Sequence, residues 1–161
     1  MATLADLKKK FPSGKFWNRS DKNKNNQNGY TSTECPSHAS TDTCNAFNPS
    51  GTNLSWQCMG FAEKCGYDAT GYNPRVDDNG WSTSTTSSDV DRVKAGDIVR
   101  YKNGTYGNHS IYVTGVSGDT VTYGDCNGTS KRCKIRWDAT ITKKTLKDNL
   151  VHIRKAPNTL S

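Results

Sequence analysis

The chain has 161 residues, enough for one hydrophobic core, and a division in two would leave each half with little to bury, so 1–161 is read as a single domain. Only 32% of the residues are hydrophobic, but four Trp, seven Tyr, four Phe and six Cys exclude a disordered chain. The formal charge of +7, from 22 Lys and Arg against 15 Asp and Glu, favours a polyanionic partner such as the anionic polymers of a bacterial wall. Nucleic acid is excluded because the basic residues are scattered, with no Arg-rich run, no Cys/His finger spacing and no aromatic RNA-binding signature.

The N-terminal MATLADLKKKFPSGKF lacks the apolar core of a signal peptide, so the chain is expected to be made in a host cytoplasm and released by other means. No run approaches the roughly 18–20 apolar residues of a membrane span, and no insertion is expected. LADLKKKF predicts a short helix ended by Pro12. Residues 18 to 55, rich in Asn, Ser, Thr and Lys, read as a long functional loop. Its segment DKNKNNQNGY has the outline of a calcium loop, but Asn26 stands where the turn glycine belongs, no Glu closes it, and its lysines oppose a cation. No metal or other cofactor is predicted.

SWQCMGFAEKCG predicts a helix of about ten residues, with Ser55 as N-cap and Gly66 as C-terminal stop. A polar loop carrying Trp81 follows, to about Asp91. Strand patterns then succeed one another: GDIVRY, HSIYVTGV, DTVTYGD, KIRWDATI and LVHIRKA. Helices first and an antiparallel meander after them make an α+β fold.

The cysteines are Cys35, Cys44, Cys58, Cys65, Cys126 and Cys133, and none forms the Cys-x-x-Cys pair of a zinc finger or ribbon. Cys35 with Cys44, and Cys126 with Cys133, bracket short loops that local disulfides would close, each adding about 2–3 kcal/mol. Buried free thiols are the alternative, favoured by a cytosolic setting. Cys58 and Cys65 share a helix face about 10 Å apart along the axis, too far to bridge.

Cys58 falls in the first turn of its helix, where backbone N–H groups and the helix dipole favour a thiolate and can also receive an oxyanion. A small buried hydrophobe is the competing reading, and the one preferred for Cys65. His109 opens a strand and shares the parity of Ile111 and Val113, which places it on the packed side, where the helix is expected. With Ser117, Gly118 and Asp119 as a three-residue turn, Val116 pairs with Thr120, and His109 then lies opposite Asn127 and diagonal to Asp125. A carboxylate or amide beside an inward His fixes its tautomer and steadies the imidazolium. Turn roles compete for Asp125 and Asn127, and His38 and His152 read as surface or structural residues.

Gln57-Cys58 at a helix start, AGDIV, Asn108-His109-Ser110 with IYV, and GDCN together resemble the CHAP group of papain-like hydrolases, relatives of the NlpC-type peptidoglycan peptidases. The resemblance spans about residues 55 to 137. FPSGKFWN, YTSTECPSH and CKIRWD extend it, toward CHAP-like modules of bacteria and their phages, over nearly the whole chain. It implies a papain-like (CHAP-type) α+β fold, N-terminal helices packed on a small antiparallel sheet. It implies Cys58 as nucleophile, His109 as base, Asp125 as orienter, and Asn127 as an outer or substitute orienter. Gln57 then flanks the oxyanion site, with Trp56 and Asn108 at the substrate. Asp125 stands where many relatives have Glu. Trp17, Trp56, Trp81 and Tyr106 are candidates for the groove, with core or loop packing as the alternative.

The implied activity is acyl transfer on bacterial peptidoglycan by a monomer of endolysin type, cutting either the bond from muramic acid to L-Ala or bonds within the stem or cross-bridge. The competing readings are a basic wall- or glycan-binding module without activity, and a secreted antibacterial or wall-remodelling cysteine peptidase.

Overall fold

The computed structural model describes residues 1–17, 29–34, 45–47, 55–77, 79–104, 107–128 and 133–161. The calcium-like segment from Asp21 to Asn28, His38, Tyr106 and the expected Cys35–Cys44 bridge lie outside them.

Helix α1 (Leu4–Lys10) starts at Thr3, whose hydroxyl accepts from the Asp6 N–H at 3.2 Å while the Asp6 carboxylate accepts from the Thr3 N–H at 2.9 Å. This reciprocal cap is worth about 1 kcal/mol. Phe11 closes the helix just before Pro12, as expected. The short strands β1 (Asn45–Phe47) and β2 (Ser55–Trp56) pair with each other, and β2 runs directly into helix α2 (Gln57–Thr70). Ser55 is thus part of a strand and not the cap. The helix also runs through Gly66: a Cβ there would stand 3.0 Å from the rings of Pro74 and Trp81, so this glycine permits close packing. The stop is Gly71, whose φ of +78° suits glycine and whose N–H returns to the Tyr67 carbonyl at 2.7 Å.

Beyond α2 come β3 (Ser82–Ser84), a 3₁₀ turn (Ser87–Arg92), β4 (Ile98–Asn103), β5 (Gly107–Ser117), β6 (Thr120–Cys126), β7 (Ile135–Thr142), helix α3 (Lys143–Asn149) and β8 (Leu150–Lys155). The six strands β3 to β8 form one antiparallel sheet in the order β3-β8-β4-β5-β6-β7. The meander β4 to β7 was legible in the sequence. The last strand returns to pair with β4, and the short α3 that turns it back was not foreseen.

Both faces of the sheet are buried. Ile98, Tyr112, Cys126, Ile135 and Trp137 pack with Leu7, Phe11, Trp17 and, from α2, Phe61, Ala62 and Cys65. Phe61 meets the rings of Phe11, Trp17 and Trp137 at 5.6, 5.9 and 5.7 Å. On the other face Val99, Tyr101, Ile111, Val113, Val121, Tyr123 and Ile153 pack with Leu146 of α3 and with Val90 and Val93. Consecutive residues such as Ile111 and Tyr112 fall in opposite clusters, as a pleat requires. The parity of Ile111 and Val113 therefore marks the α3 side and not the α2 side expected for it, although His109, near the start of the strand, still meets Cys58 of α2.

The hairpin between β5 and β6 turns on two residues, Gly118 and Asp119, because Ser117 pairs with Thr120. An irregularity between Val113 and Gly115 then absorbs one residue. From there inward Val113 pairs with Tyr123 and Tyr112 with Gly124, the register expected from a three-residue turn. The bulge restores what the shorter turn would have shifted.

Candidate active site

Gln57 has a φ of +42°, a left-handed conformation unusual for a residue with a side chain and costing roughly 1–2 kcal/mol. This bend directly precedes Cys58 and sets it at the second position of α2, where backbone N–H groups have no partner inside the helix. Cys58 retains 8% exposure, while Cys65, further along the same helix, has none. Only the first thiol opens on a cleft, of about 400 Å³, shared with Gln57, Met59, Arg100 and Asn108.

Beyond the last ladder pair of β5 and β6, Tyr112 with Gly124, the strands leave room for the Cys58 thiol to meet the His109 imidazole and the Ser110 backbone amide. His109 is 4% exposed and lies edge-on to Tyr101, its cross-strand partner, with ring centroids 5.9 Å apart. Its Nε2 is 2.8 Å from Oδ2 of Asp125, a fully buried carboxylate. With Nε2 so engaged, Nδ1 is the nitrogen left for Cys58. The diagonal relation of His109 and Asp125 across the hairpin is realised.

Electrostatics follow from these contacts. Burial opposes ionisation of Cys58, but the hydrogen bond and charge of His109, the Ser110 amide and the more distant Arg100 outweigh it and bring the thiol below its ordinary value. Burial likewise opposes the charged imidazole, yet Asp125 and Cys58 together raise His109 to about 9. Asp125 is held below the usual carboxylate range despite its burial, because His109 and Arg136 hydrogen-bond to it. These contacts favour a thiolate–imidazolium pair backed by a carboxylate. Cys65 has the opposite balance: burial, with the charge of Asp68, pushes its thiol well up.

One further residue holds the carboxylate, and sequence reasoning gave it no role. Arg136 of β7 is the cross-strand partner of Asp125 and donates to both its oxygens, from Nε at 3.1 Å and from Nη2 at 2.8 Å. The same guanidinium donates to the Tyr123 hydroxyl at 3.2 Å and lies over that ring. Gly128 faces the clamp: a Cβ there would overlap Asp125 Oδ2 and Arg136 Nη2. The available signal for Arg136 was the need of a buried carboxylate for a fixed cation on the neighbouring strand.

Asn127 does not touch His109. Its Nδ2 donates to Gln57 Oε1 at 2.5 Å, and its Oδ1 accepts from the Cys133 backbone at 3.4 Å. Of these two residues Asp125 alone therefore meets the imidazole, and Asn127 holds Gln57. Since the Gln57 carbonyl is occupied, its NH₂ is the end left for a ligand. Asn127 has a φ of +65°, which Asn tolerates better than most residues. Asn108 is exposed on the cleft. Trp56 pairs with Asn45 through its backbone, and its side chain lies outside the described part of the structure. Trp17 and Trp81 are buried at 0% and 1% exposure, which makes them core and not groove.

Cys126 carries a free, fully buried thiol, so the expected bridge to Cys133 is not closed. His152 sits in β8 with its imidazole lowered by burial and by Arg100 and Arg154. Among the described residues, no group of three or more His, Cys, Asp or Glu is placed to hold a metal ion, and no helix is long and apolar enough to cross a membrane.

No protein-family model matches the chain, and no curated protein does. Among solved structures it is similar to Ly7917 at 26% identity and a TM-score of 0.42, over 60% of this chain and 38% of that one. It is similar also to Ly7917 solved with the hydrolyzing product of MDP, at 27% identity and a TM-score of 0.41, over 50% of this chain and 33% of that one. The chain thus spans little more than a third of the length of these structures.

Proposed function

We propose that this protein is a cysteine hydrolase of papain-like (CHAP) type that cleaves an amide bond of bacterial peptidoglycan. The observation that carries the reading is the chain of contacts from Cys58 through His109 to Asp125, with a lowered thiol at a helix start and a raised imidazole between it and a buried carboxylate. The motifs Gln57-Cys58, Asn108-His109-Ser110 and GDCN support the CHAP assignment, and the charge of +7 suits an anionic wall.

In the proposed reaction the Cys58 thiolate attacks the amide carbon and forms a C–S bond, while the carbonyl oxygen becomes an oxyanion. Backbone N–H groups at the start of α2 and the NH₂ of Gln57 receive that charge. The proton on His109 Nδ1 passes to the leaving nitrogen as the C–N bond breaks. Water, deprotonated by the now neutral His109, then attacks the thioester, the C–S bond breaks, and the acid product leaves with the thiolate and imidazolium restored. Asp125 remains ionised and holds the ring throughout.

Purified peptidoglycan from several Gram-positive bacteria, digested by wild type beside Cys58→Ala and read by mass spectrometry, tests this. Products from wild type only support the proposal, with intact stems marking an amidase and cut stems or cross-bridges an endopeptidase. Equal product from both proteins, or none from either, overturns it and favours a binding module.

A further inference from the structure

Met59 borders two adjoining openings: the cleft at Cys58, and a second of about 300 Å³ among Glu63, Arg75, Ser110, His152 and Arg154. The charges along this double cleft do not cancel. Glu63 is answered by Arg75 at 2.7 Å. Arg100, beside Cys58, donates to Ser110 Oγ at 2.8 Å and has no carboxylate partner among the described residues. Arg154 is anchored by its Nε to the Pro74 carbonyl at 2.5 Å and by Nη1 to Thr83 and the exposed Asp77. Its Nη2 is buried with no hydrogen-bond partner.

The strand register explains the juxtaposition. Arg100 pairs with His152 and Ile98 with Arg154 across β4 and β8, so the two arginines stand diagonally in the register, and the charges of both reach His152. His152 is held neutral by burial and by both arginines, and so adds no third charge at neutral pH. A buried guanidinium N–H without an acceptor is costly, and a carboxylate oxygen is the acceptor that answers it best.

We propose that Arg100 and Arg154 form a carboxylate-binding subsite adjoining Cys58, which selects peptides carrying a free carboxylate within about a residue of the bond to be cut. This rests on Cys58 being the nucleophile. The carboxylate is either a side chain or a chain end, and amidated peptides are disfavoured substrates.

Two measurements test the subsite. Cys58 is first alkylated with iodoacetate and with iodoacetamide, and the ratio of the two rates is compared among wild type, Arg100→Gln and, as a distant control, Lys144→Gln. Any change in thiol ionisation cancels in this ratio, so it reads the anion preference alone. The ratio falls about fivefold in Arg100→Gln and is unchanged in Lys144→Gln. An unchanged ratio in Arg100→Gln overturns the proposal.

Second, Cys58→Ala is titrated, by NMR of the arginine side chains, with the diamide of N-acetylglutamate and with its two mono-amides, one free at the side chain and one at the chain end. One or both carboxylates bind about fivefold or more tighter than the diamide, and the preference disappears in Arg100→Gln/Arg154→Gln. Which mono-amide binds identifies the source of the carboxylate, and equal binding of all three overturns the subsite. Should Cys58 resist both alkylating reagents while the carboxylates still bind Cys58→Ala, the hydrolase reading fails and the anion site stands.

Discussion

Arg136 grips both oxygens of Asp125, at 3.1 and 2.8 Å, from the neighbouring strand. The carboxylate that steadies the imidazolium is therefore itself fixed by a permanent cation. Arg136→Gln is expected to lower kcat about tenfold while leaving KM nearly unchanged, because the substrate does not touch it. One cause of the depressed Asp125 pKa is then gone, so the acid limb of kcat/KM moves to higher pH. The Arg136 side chain is 36% exposed but its partner is fully buried, so the loss in stability exceeds that of a surface ion pair. Arg136→Lys restores charge without the two-pronged grip and recovers only part of the rate. A pH–rate profile of the three proteins decides.

The raised His109 gives a second expectation. Below about pH 9 the imidazole is charged and can protonate a leaving amine, so kcat/KM falls above that value, with the pair and not either residue setting the limb. The stability sign follows from linkage. A base raised from 6.5 to about 9 contributes fully below pH 6.5 and loses its contribution as pH rises toward 9. The lowered Cys58 thiol contributes with the opposite sign, so thermal melts between pH 6.5 and 9 are expected to show Tm nearly level. In Cys58→Ala the partner thiolate is absent, so the His109 titration, followed by its ring protons, moves down.

Asn127 and Gln57 give a third. Asn127→Asp preserves the shape and the tolerance for a positive φ but cannot donate to Gln57 Oε1, leaving two acceptors face to face. If Gln57 helps to receive the oxyanion, kcat drops roughly tenfold with the fold intact. A circular-dichroism melt beside the activity assay separates this from unfolding. An unchanged kcat would reduce Asn127 to a loop-closing residue.

Gly128→Ala is the fourth. Its Cβ would collide with Asp125 and Arg136 and pry the clamp apart. Loss of activity at least as large as that of Arg136→Gln is expected. Gly14→Ala is the comparison, since a Cβ there meets nothing and only its φ of +84° is penalised.

The sequence carried the meander, the helix bearing Cys58 and the diagonal of His109 with Asp125, because two-residue periodicity and hairpin pairing are local rules. It did not carry which face α2 covers. Strands with both faces buried alternate apolar with apolar, so parity told Ile111 from Tyr112 but not which of them met the helix. Gly66 looked like a stop and proved to be a packing contact, a distinction made by Trp81, fifteen positions away. Arg136 was unread for a similar reason: its partner is set by the β6–β7 register across a loop. Asn127 was set beside the imidazole by register and by the family resemblance, but its side chain turns to Gln57.

The proposed nucleophile and its base rest on different foundations. Cys58 belongs to a helix seated in one hydrophobic layer, and His109, through Tyr101, leans on the other. Reactivity is thus a gauge of how two separately packed layers are aligned. A slip of about 1 Å between them would part the proton donor from the thiolate before either layer lost its own packing. Gentle warming should silence such a catalyst ahead of the cooperative melt, reversibly, and a core substitution far from the cleft should act through the same displacement.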